Sequence, residues 1–389
     1  MSERGTVVVV SRKSCSTQTL RSYLQKLIRD HADILSKPEW RDLGYEYVNI
    51  DDCWPEMERD GEDRLVSDKT RFPSGMKSLS DYLHSKNLKL GTYNDMGTKT
   101  CGGYPGECKD ENCTLPGYMS IDADTYAGWG IDSLKMDGCN SVHTEAILNP
   151  AYEFLGSQLN KTGRPILYSC SWPDYLRVVG IDVNYTMIAE HCNIWRMFDD
   201  IQDSFDSVTS IVDWVGDNQD VLSANQGPGA FNDPDMLIIG NYGLSLDQSR
   251  AQFALWSIMA APLLMGNDLR NLAPEFAEIL QNKEIIAVDQ DSLGKMGKRV
   301  VHTSNICTAT DVWIKPLQNG DFAVVMWNRG VCGSPREVTL NWSDISLPKA
   351  SRYNVRDLYL HKDMGVFSSS YTTFINPAGG VAALRLSAV

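Results

Sequence analysis

The sequence contains no apolar run approaching the length that crosses a bilayer, so no transmembrane helix is expected. It is also short of positive charge: 36 Lys and Arg stand against 50 Asp and Glu, a net of −14. Phosphate backbones are bound by basic surface, which argues against nucleic acid as a partner. The cysteines lack the repeated C-x-x-C spacing of a zinc site, and there is no Gly-rich phosphate loop, internal repeat or low-complexity segment. No zinc site is therefore expected. An acidic surface sheds repulsive charge as pH falls, which is compatible with an acidic compartment.

What is present is a chain of 389 residues, 42% hydrophobic and 22% charged, the balance of a soluble globular protein with one large domain and one smaller. Ten cysteines, with N-x-[ST] sequons at Asn112, Asn160, Asn184 and Asn341, favour a secretory route. The beginning disagrees: MSERGTVVVVSRKSC holds only the short apolar stretch Thr6 to Val10, which is no persuasive signal peptide. Either the natural beginning differs or the route is not secretory, and the first is the expectation.

Short apolar runs recur along the first half. YEYVNI (45–50), LKLGTY (88–93), SLKM (133–136) and PILYS (165–169) read as buried strands. They start roughly 30 to 45 residues apart, the length of one strand–helix unit. Between them Met76, Leu79 and Leu83 share one helical face with Asn87 as its stop. Further on, Ser245-Leu-Asp-Gln248 is a capping box opening an apolar helix to about Ala260.

This period fits a doubly wound sheet as well as a barrel. The polar residues at the end of each run separate the two: Asp51 and Asp52, Asp95, Asp137, and Ser171 with Trp172. In a barrel those strand ends converge on one mouth. A doubly wound sheet spreads them along a crevice and usually brings the missing phosphate loop. The expected fold is α/β, a (β/α)8 TIM barrel over residues 1–297 followed over 298–389 by a C-terminal antiparallel β-sandwich domain. The second part rests on DVWIKPL and DFAVVMWN flanking the hairpin signal Gln318-Asn319-Gly320, then on EVTLNW, YNVRDLYL and GVAALRL.

Carboxylates at one mouth suit glycoside hydrolysis. Retention of configuration needs two carboxyl groups roughly 5 Å apart, one attacking the sugar and one carrying a proton. Lys135 and Asp137 are two apart on a strand and leave the same face; a cation beside a carboxylate suits an ionised nucleophile, and equally a structural ion pair. Asp199 and Asp200, following Trp195 and Arg196, supply a second carboxylate, or a helix start favoured by the macrodipole.

Seven segments in order, IDDCW, LKLGTYNDMGTKTC, LKMDGC, YSCSWP, CNIWRMFDDIQDS, FNDPDMLIIGNYGLS and MAAPLLMGNDLR, resemble the family 27 glycoside hydrolases, the group of the lysosomal α-galactosidases and α-N-acetylgalactosaminidases. The resemblance runs from about Trp40 to the C-terminus. It implies a retaining exo-glycosidase with Asp137 as nucleophile and Asp200 as acid/base. It further implies that Asp51 and Asp52 accept hydrogen bonds from the sugar's O4 and O6, that Lys135 and Arg196 donate to its hydroxyls, and that Tyr93, Tyr175, Asp235 and Met236 line the pocket. Read without it, Asp51 and Asp52 form a cation site and Met236 is plain core. The resemblance implies disulfides Cys101–Cys139 and Cys170–Cys192, a local loop closed by Cys108 and Cys113, and a partner upstream for Cys53. It also implies a homodimer, no metal and no cofactor, a lysosomal or secreted location, and a glycolipid or glycoprotein glycan with terminal α-GalNAc or α-Gal as substrate.

Substrate choice turns on the residues facing the sugar's C2 substituent. α-Galactosidases carry glutamate where this chain has Ser171, and serine leaves room for an acetamido group. At the next position relatives carry alanine or leucine, and this chain has Asp174, which either narrows the acetyl pocket or accepts the acetamide N–H. N-acetylgalactosamine is the expected sugar, with α-galactosidase or dual activity as the alternative. Residues 1 to about 30 do not match the family's first strand and its tryptophan, and Phe231 stands where many relatives have tryptophan. Thr6–Val10 is a candidate substitute strand; without one the barrel has an open edge, and an inactive galactose-binding relative is the further alternative.

Overall fold

In a computed structural model of the chain, residues 6–10, 24–345, 347 and 352–389 are described. Cys15 and most of the unmatched beginning lie outside the described residues, so the expected upstream pairing of Cys53 does too. The chain divides into two compact units. One is Gly5–Asp199 together with Leu264–Asn271; the other contains Asp200–Leu263 and Leu272–Val389.

The strands are β1 (Thr6–Val10), β2 (Tyr45–Ile50), β3 (Lys89–Asp95), β4 (Ser133–Asp137), β5 (Leu167–Cys170), β6 (Ile194–Arg196), β7 (Phe231–Asp233) and β8 (Leu264–Met265), of which β7 falls in the second unit. In the first unit they lie parallel in the order β6-β5-β4-β3-β2-β1-β8. The helices α1 (Leu24–Leu35), α2 (Pro38–Arg41), α3 (Gly75–His84), α4 (Met119–Trp129), α5 (Glu145–Lys161), α6 (Trp172–Arg177) and α7 (Tyr185–His191) fall between strands. The strands read as near-continuous apolar runs because both faces of a helix-covered parallel sheet are buried; β5 is buried at every residue.

The predicted strand at 45–50 is β2 to the residue, and the face expected on α3 is its buried one: Met76, Leu79 and Leu83. Asn87 stops that helix with a left-handed φ of 57°, which asparagine tolerates better than most residues. The stretch Thr6–Val10 takes the place expected for a substitute first strand. It pairs with β2 through Val10↔Ile50 and with β8 through Val7↔Leu264, so the expected open edge does not arise there.

The second unit continues with α8 (Phe205–Asp217), α9 (Gln219–Asn225), α10 (Leu246–Ile258), α11 (Pro274–Leu280) and α12 (Lys283–Asp289). The capping box at the start of α10 is formed, with the Gln248 N–H donating to Ser245 Oγ and the Ser245 N–H to Gln248 Oε1. Ala251 to Ile258 are all buried, as a helix apolar on every side must be. Its C-terminal carbonyl at Ser257, with that of Val288 at the end of α12, is met by the fully buried Lys315 ammonium, 2.6 Å from Val288 O.

Antiparallel strands close the chain: β9 (Lys298–His302), β10 (Thr310–Pro316), β11 (Phe322–Asn328), β12 (Arg336–Asn341), β13 (Tyr353–Asp357), β14 (Lys362–Phe367), β15 (Ser370–Ile375) and β16 (Val381–Ala388). Six form one sheet in the order β14-β13-β16-β11-β10-β9, and β12 pairs with β15. The hairpin expected around Gln318-Asn319-Gly320 joins β10 to β11, with Gly320 at a φ of 86°. Val324, Met326, Leu340, Val355, Tyr371 and Leu384 form the core of this sandwich.

Candidate active site

The end of β3 and β4 sets the geometry. Tyr93 is opposite Lys135 and Asp95 is opposite Asp137 in parallel register. Residues two apart on a strand share a face, so four polar side chains gather on one side of two neighbouring strand ends. Lys135 stands nearer to Asp51 than to the carboxylate expected to be its partner: its Nζ is 2.9 Å from Asp51 Oδ2 and 4.0 Å from Asp137 Oδ2. It therefore cross-links the ends of β2 and β4 while lending positive charge to Asp137.

Donors converge on Asp137. The Tyr93 hydroxyl reaches Oδ2 at 3.0 Å and the Gly138 N–H reaches Oδ1 at 3.0 Å. Burial and then the Asp137 charge push the Tyr93 and Tyr175 hydroxyls far above the ordinary tyrosine range, so both stay protonated as donors. The ring of Tyr175 lies against Gly138, where an added Cβ would come within 2.6 Å of it. The Tyr152 hydroxyl holds the Asp137 carbonyl at 2.9 Å.

Asp52 accepts the Cys53 and Gly102 N–H groups, each at 2.6 Å, and burial pushes its pKa up. Asp95 is fully buried and accepts from the Cys139 and Cys101 N–H groups at 2.7 and 3.0 Å, tying it to the disulfide at the rim. Burial raises its pKa well above the usual range and the Asp137 charge adds to this, while the Cys139 N–H opposes the shift. Among the strand-end carboxylates it is the one not carried into the expected site. Its signal was its place, two residues past Tyr93 and in register with Asp137.

The expected disulfides Cys101–Cys139 and Cys170–Cys192 are formed, as is Cys108–Cys113; Cys307–Cys332, not foreseen, lies in the sandwich unit. Ser171 is the buried residue preceding α6, and no side-chain cap engages it. Asp174, third in α6, is taken by Arg177, whose Nε and Nη2 reach Asp174 Oδ1 at 3.0 and 2.8 Å. Burial raises the Asp174 pKa while Arg177 opposes the shift. Arg196 is buried at the end of β6 and donates to Phe198 O at 3.1 Å.

Asp200, Asp235 and Met236 belong to the second unit. There Asp235 adopts a left-handed φ of 75°, steadied by its N–H donating to Asp233 Oδ1 at 2.8 Å. Its Oδ2 accepts the Ile201 N–H at 2.8 Å and its Oδ1 the Met236 N–H at 2.8 Å, which brings the peptide after Asp200 to Asp235.

Beneath β3 lies a buried cluster that local sequence did not reveal. Arg59 grips Asp122 through both guanidinium ends at 2.7 and 2.6 Å, and Glu107 Oε1 accepts from Asn94 Nδ2 and the Tyr126 hydroxyl, each at 3.0 Å. Two groupings of metal-ligating residue types occur among the described residues. In one the sulfurs of Cys101 and Cys139 are bonded to each other, and in the other Arg329 and Arg299 already pair with Asp213 and Asp311 around His302. Neither offers an open coordination site.

Parallel strands whose ends carry clustered carboxylates, with tyrosine and lysine donors and no phosphate loop, are the equipment of a glycosidase. Comparison with known proteins agrees. The family model for alpha galactosidase A matches residues 9–291, and that for the alpha galactosidase C-terminal beta sandwich domain matches residues 308–386. Alpha-N-acetylgalactosaminidase of Gallus gallus is 46% identical over 370 residues, 95% of this chain and 88% of that protein. Alpha-galactosidase A of Homo sapiens is 43% identical over 362 residues, 92% and 81% respectively. The crystal structure of alpha-galactosidase I from Mortierella vinacea superposes with a TM-score of 0.82 at 32% identity, covering 94% of this chain and 93% of that one.

The chain belongs to this family, the family 27 glycoside hydrolases, and is a glycoside hydrolase of the α-N-acetylgalactosaminidase and α-galactosidase type with a TIM barrel and a C-terminal β-sandwich. The family match starts at residue 9, earlier than the expected start of the resemblance at about Trp40.

Proposed function

We propose that this enzyme is a retaining exo-glycosidase that removes terminal α-linked N-acetylgalactosamine from glycolipid or glycoprotein glycans through a glycosyl-aspartate intermediate. The observation that carries the reading is the set of donors on Asp137, namely Tyr93, the Gly138 N–H and nearby Lys135. A carboxylate so surrounded is poised to attack the anomeric carbon. In the first step Asp137 bonds to C1 as the bond from C1 to the leaving oxygen breaks, and Asp200 gives that oxygen its proton. In the second step Asp200 takes a proton from water, whose oxygen bonds to C1 and releases Asp137.

Asp51 and Asp52 accept hydrogen bonds from the sugar's O4 and O6, Lys135 and Arg196 donate, and Tyr175, Asp235 and Met236 shape the pocket. The uncapped Ser171 hydroxyl supports the N-acetylgalactosamine reading, since a small side chain there leaves space at C2. The likeness to Alpha-N-acetylgalactosaminidase of Gallus gallus supports it as well. The resemblance of its motifs to the family further supports reading the enzyme as lysosomal or secreted and homodimeric. The two family models support a domain boundary at 297/298. The test is hydrolysis of chromogenic α-N-acetylgalactosaminide and α-galactoside at acidic pH by the wild type and Asp137→Asn. The first substrate should be preferred and the variant should lose at least about a thousandfold in kcat. Preference for the galactoside would make the enzyme an α-galactosidase, and undiminished activity in the variant would remove Asp137 from the mechanism.

A further inference from the structure

An arginine at the last position of a helix ordinarily serves that helix's own carbonyls. Arg177 ends α6, yet its guanidinium reaches carboxylates instead. Its Nε and Nη2 turn back to Asp174 Oδ1, and Nη2 also donates to Asp199 Oδ1 in the turn after β6. The guanidinium lies 4.6 Å over the ring of Phe198, and the same turn is held from its other side by Arg196 Nη2 on Phe198 O at 3.1 Å. One guanidinium therefore joins a helix to the loop of a neighbouring strand through two carboxylates and a ring face, a fork geometry that lysine cannot reproduce. Its side chain is 24% exposed, so it is not a freely solvated surface charge.

The gripped turn matters because Asp200 is the next residue in the chain after Asp199. Proton transfer requires its donor within hydrogen-bond reach of the leaving oxygen, and a displacement of about 1 Å can cost about a hundredfold.

We infer that Arg177 is a positioning residue for the acid/base: anchored on α6 by Asp174, it fixes the Phe198–Asp199 turn and so the place to which the next residue delivers its carboxyl. This rests on the reading of Asp200 given above. Charge has a part as well. Asp174 and Asp199 share Arg177, Arg196 also favours the Asp174 anion, and Tyr185 of α7 is a further titratable neighbour of Asp174 and Arg177. Removal of the guanidinium takes a positive charge from the segment that precedes Asp200 in the chain, which favours the protonated form of that acid.

The experiment compares kcat/KM for a dinitrophenyl glycoside, whose leaving group departs without a proton, with that for a methyl glycoside, which needs one. Arg177→Gln should lose about tenfold on the methyl glycoside and less than about twofold on the dinitrophenyl one. The basic limb of its methyl-glycoside profile should move to higher pH, and Arg177→Lys should fall between the two. Equal losses on both substrates, or none, would overturn the inference. Should near-ultraviolet circular dichroism show Arg177→Gln misfolded, Asp199→Ala removes the same contact from the exposed side and must give the same leaving-group dependence. Asp200→Ala is run in parallel and should lose about 10² to 10⁴ on the methyl glycoside, with azide restoring turnover of the dinitrophenyl one. If Asp200→Ala shows no leaving-group dependence, the acid/base reading falls and this inference with it. If Asp200→Ala shows it and the Arg177 and Asp199 variants do not, this inference alone falls.

Discussion

Replacing Glu107 by Gln tests the buried cluster beneath β3. Glu107 and Asp122 are both fully buried and share the single guanidinium of Arg59, which is committed to Asp122. Glu107 Oε2 is buried with no donor to meet it, so a bare charge there has nothing to replace water. Burial first, and the Asp122 charge second, raise the Glu107 pKa well above the ordinary range. A carboxyl whose folded pKa lies above its unfolded value, about 4.3, contributes stability that is fully present below that unfolded value. The contribution is lost as pH rises through the folded pKa, at about 1.4 kcal/mol per pH unit. Glutamine mimics the protonated side chain: its carbonyl can accept from Asn94 and Tyr126 as Glu107 Oε1 does, and its amide is neutral toward Asp122. Thermal melts from pH 4 to pH 8 should then show the two proteins nearly alike at the acid end. The variant should be the more stable toward neutrality, by about 2 °C or more for each kcal/mol gained. Parallel melting curves across the range, or a variant that gains only at low pH, would refute the reasoning.

Three further outcomes are expected. Tyr93→Phe removes a hydroxyl donor to Asp137 and should lower kcat about ten- to a hundredfold, the worth of a hydrogen bond to a charged group, with the melting temperature little changed. Gly138→Ala would push a methyl group into the Tyr175 ring; displacement of that ring should depress kcat at least about tenfold in a steady-state assay. Replacing Cys101 and Cys139 together by serine frees a loop spanning 38 residues, and denaturant unfolding should report a loss of about 4 kcal/mol.

Local pattern carried a large part of the fold. The run YEYVNI is a strand because apolar residues bounded by polar ones suit a buried parallel sheet, and β2 has those limits. Ser245 and Gln248 close their box because the box is a local interaction, three residues wide. The strand-end position of Asp137 was legible for the same reason. The short strands β6, β7 and β8 were not, since two or three residues carry no period to read.

What the amino-acid order determined by itself was which residues could be strand, helix, cap or carboxylate at a strand end, because those properties arise among neighbours in the chain. The partners of the charged groups were decided only by the tertiary structure. Lys135 looks toward Asp137, two residues away, yet its closest carboxylate is Asp51, 84 residues earlier. Arg59 meets Asp122 across 63 residues, and Arg177 meets Asp199 across 22. A charge settles where packing leaves an opposite charge within reach and burial leaves it no water, and both conditions are set by segments that only folding brings together.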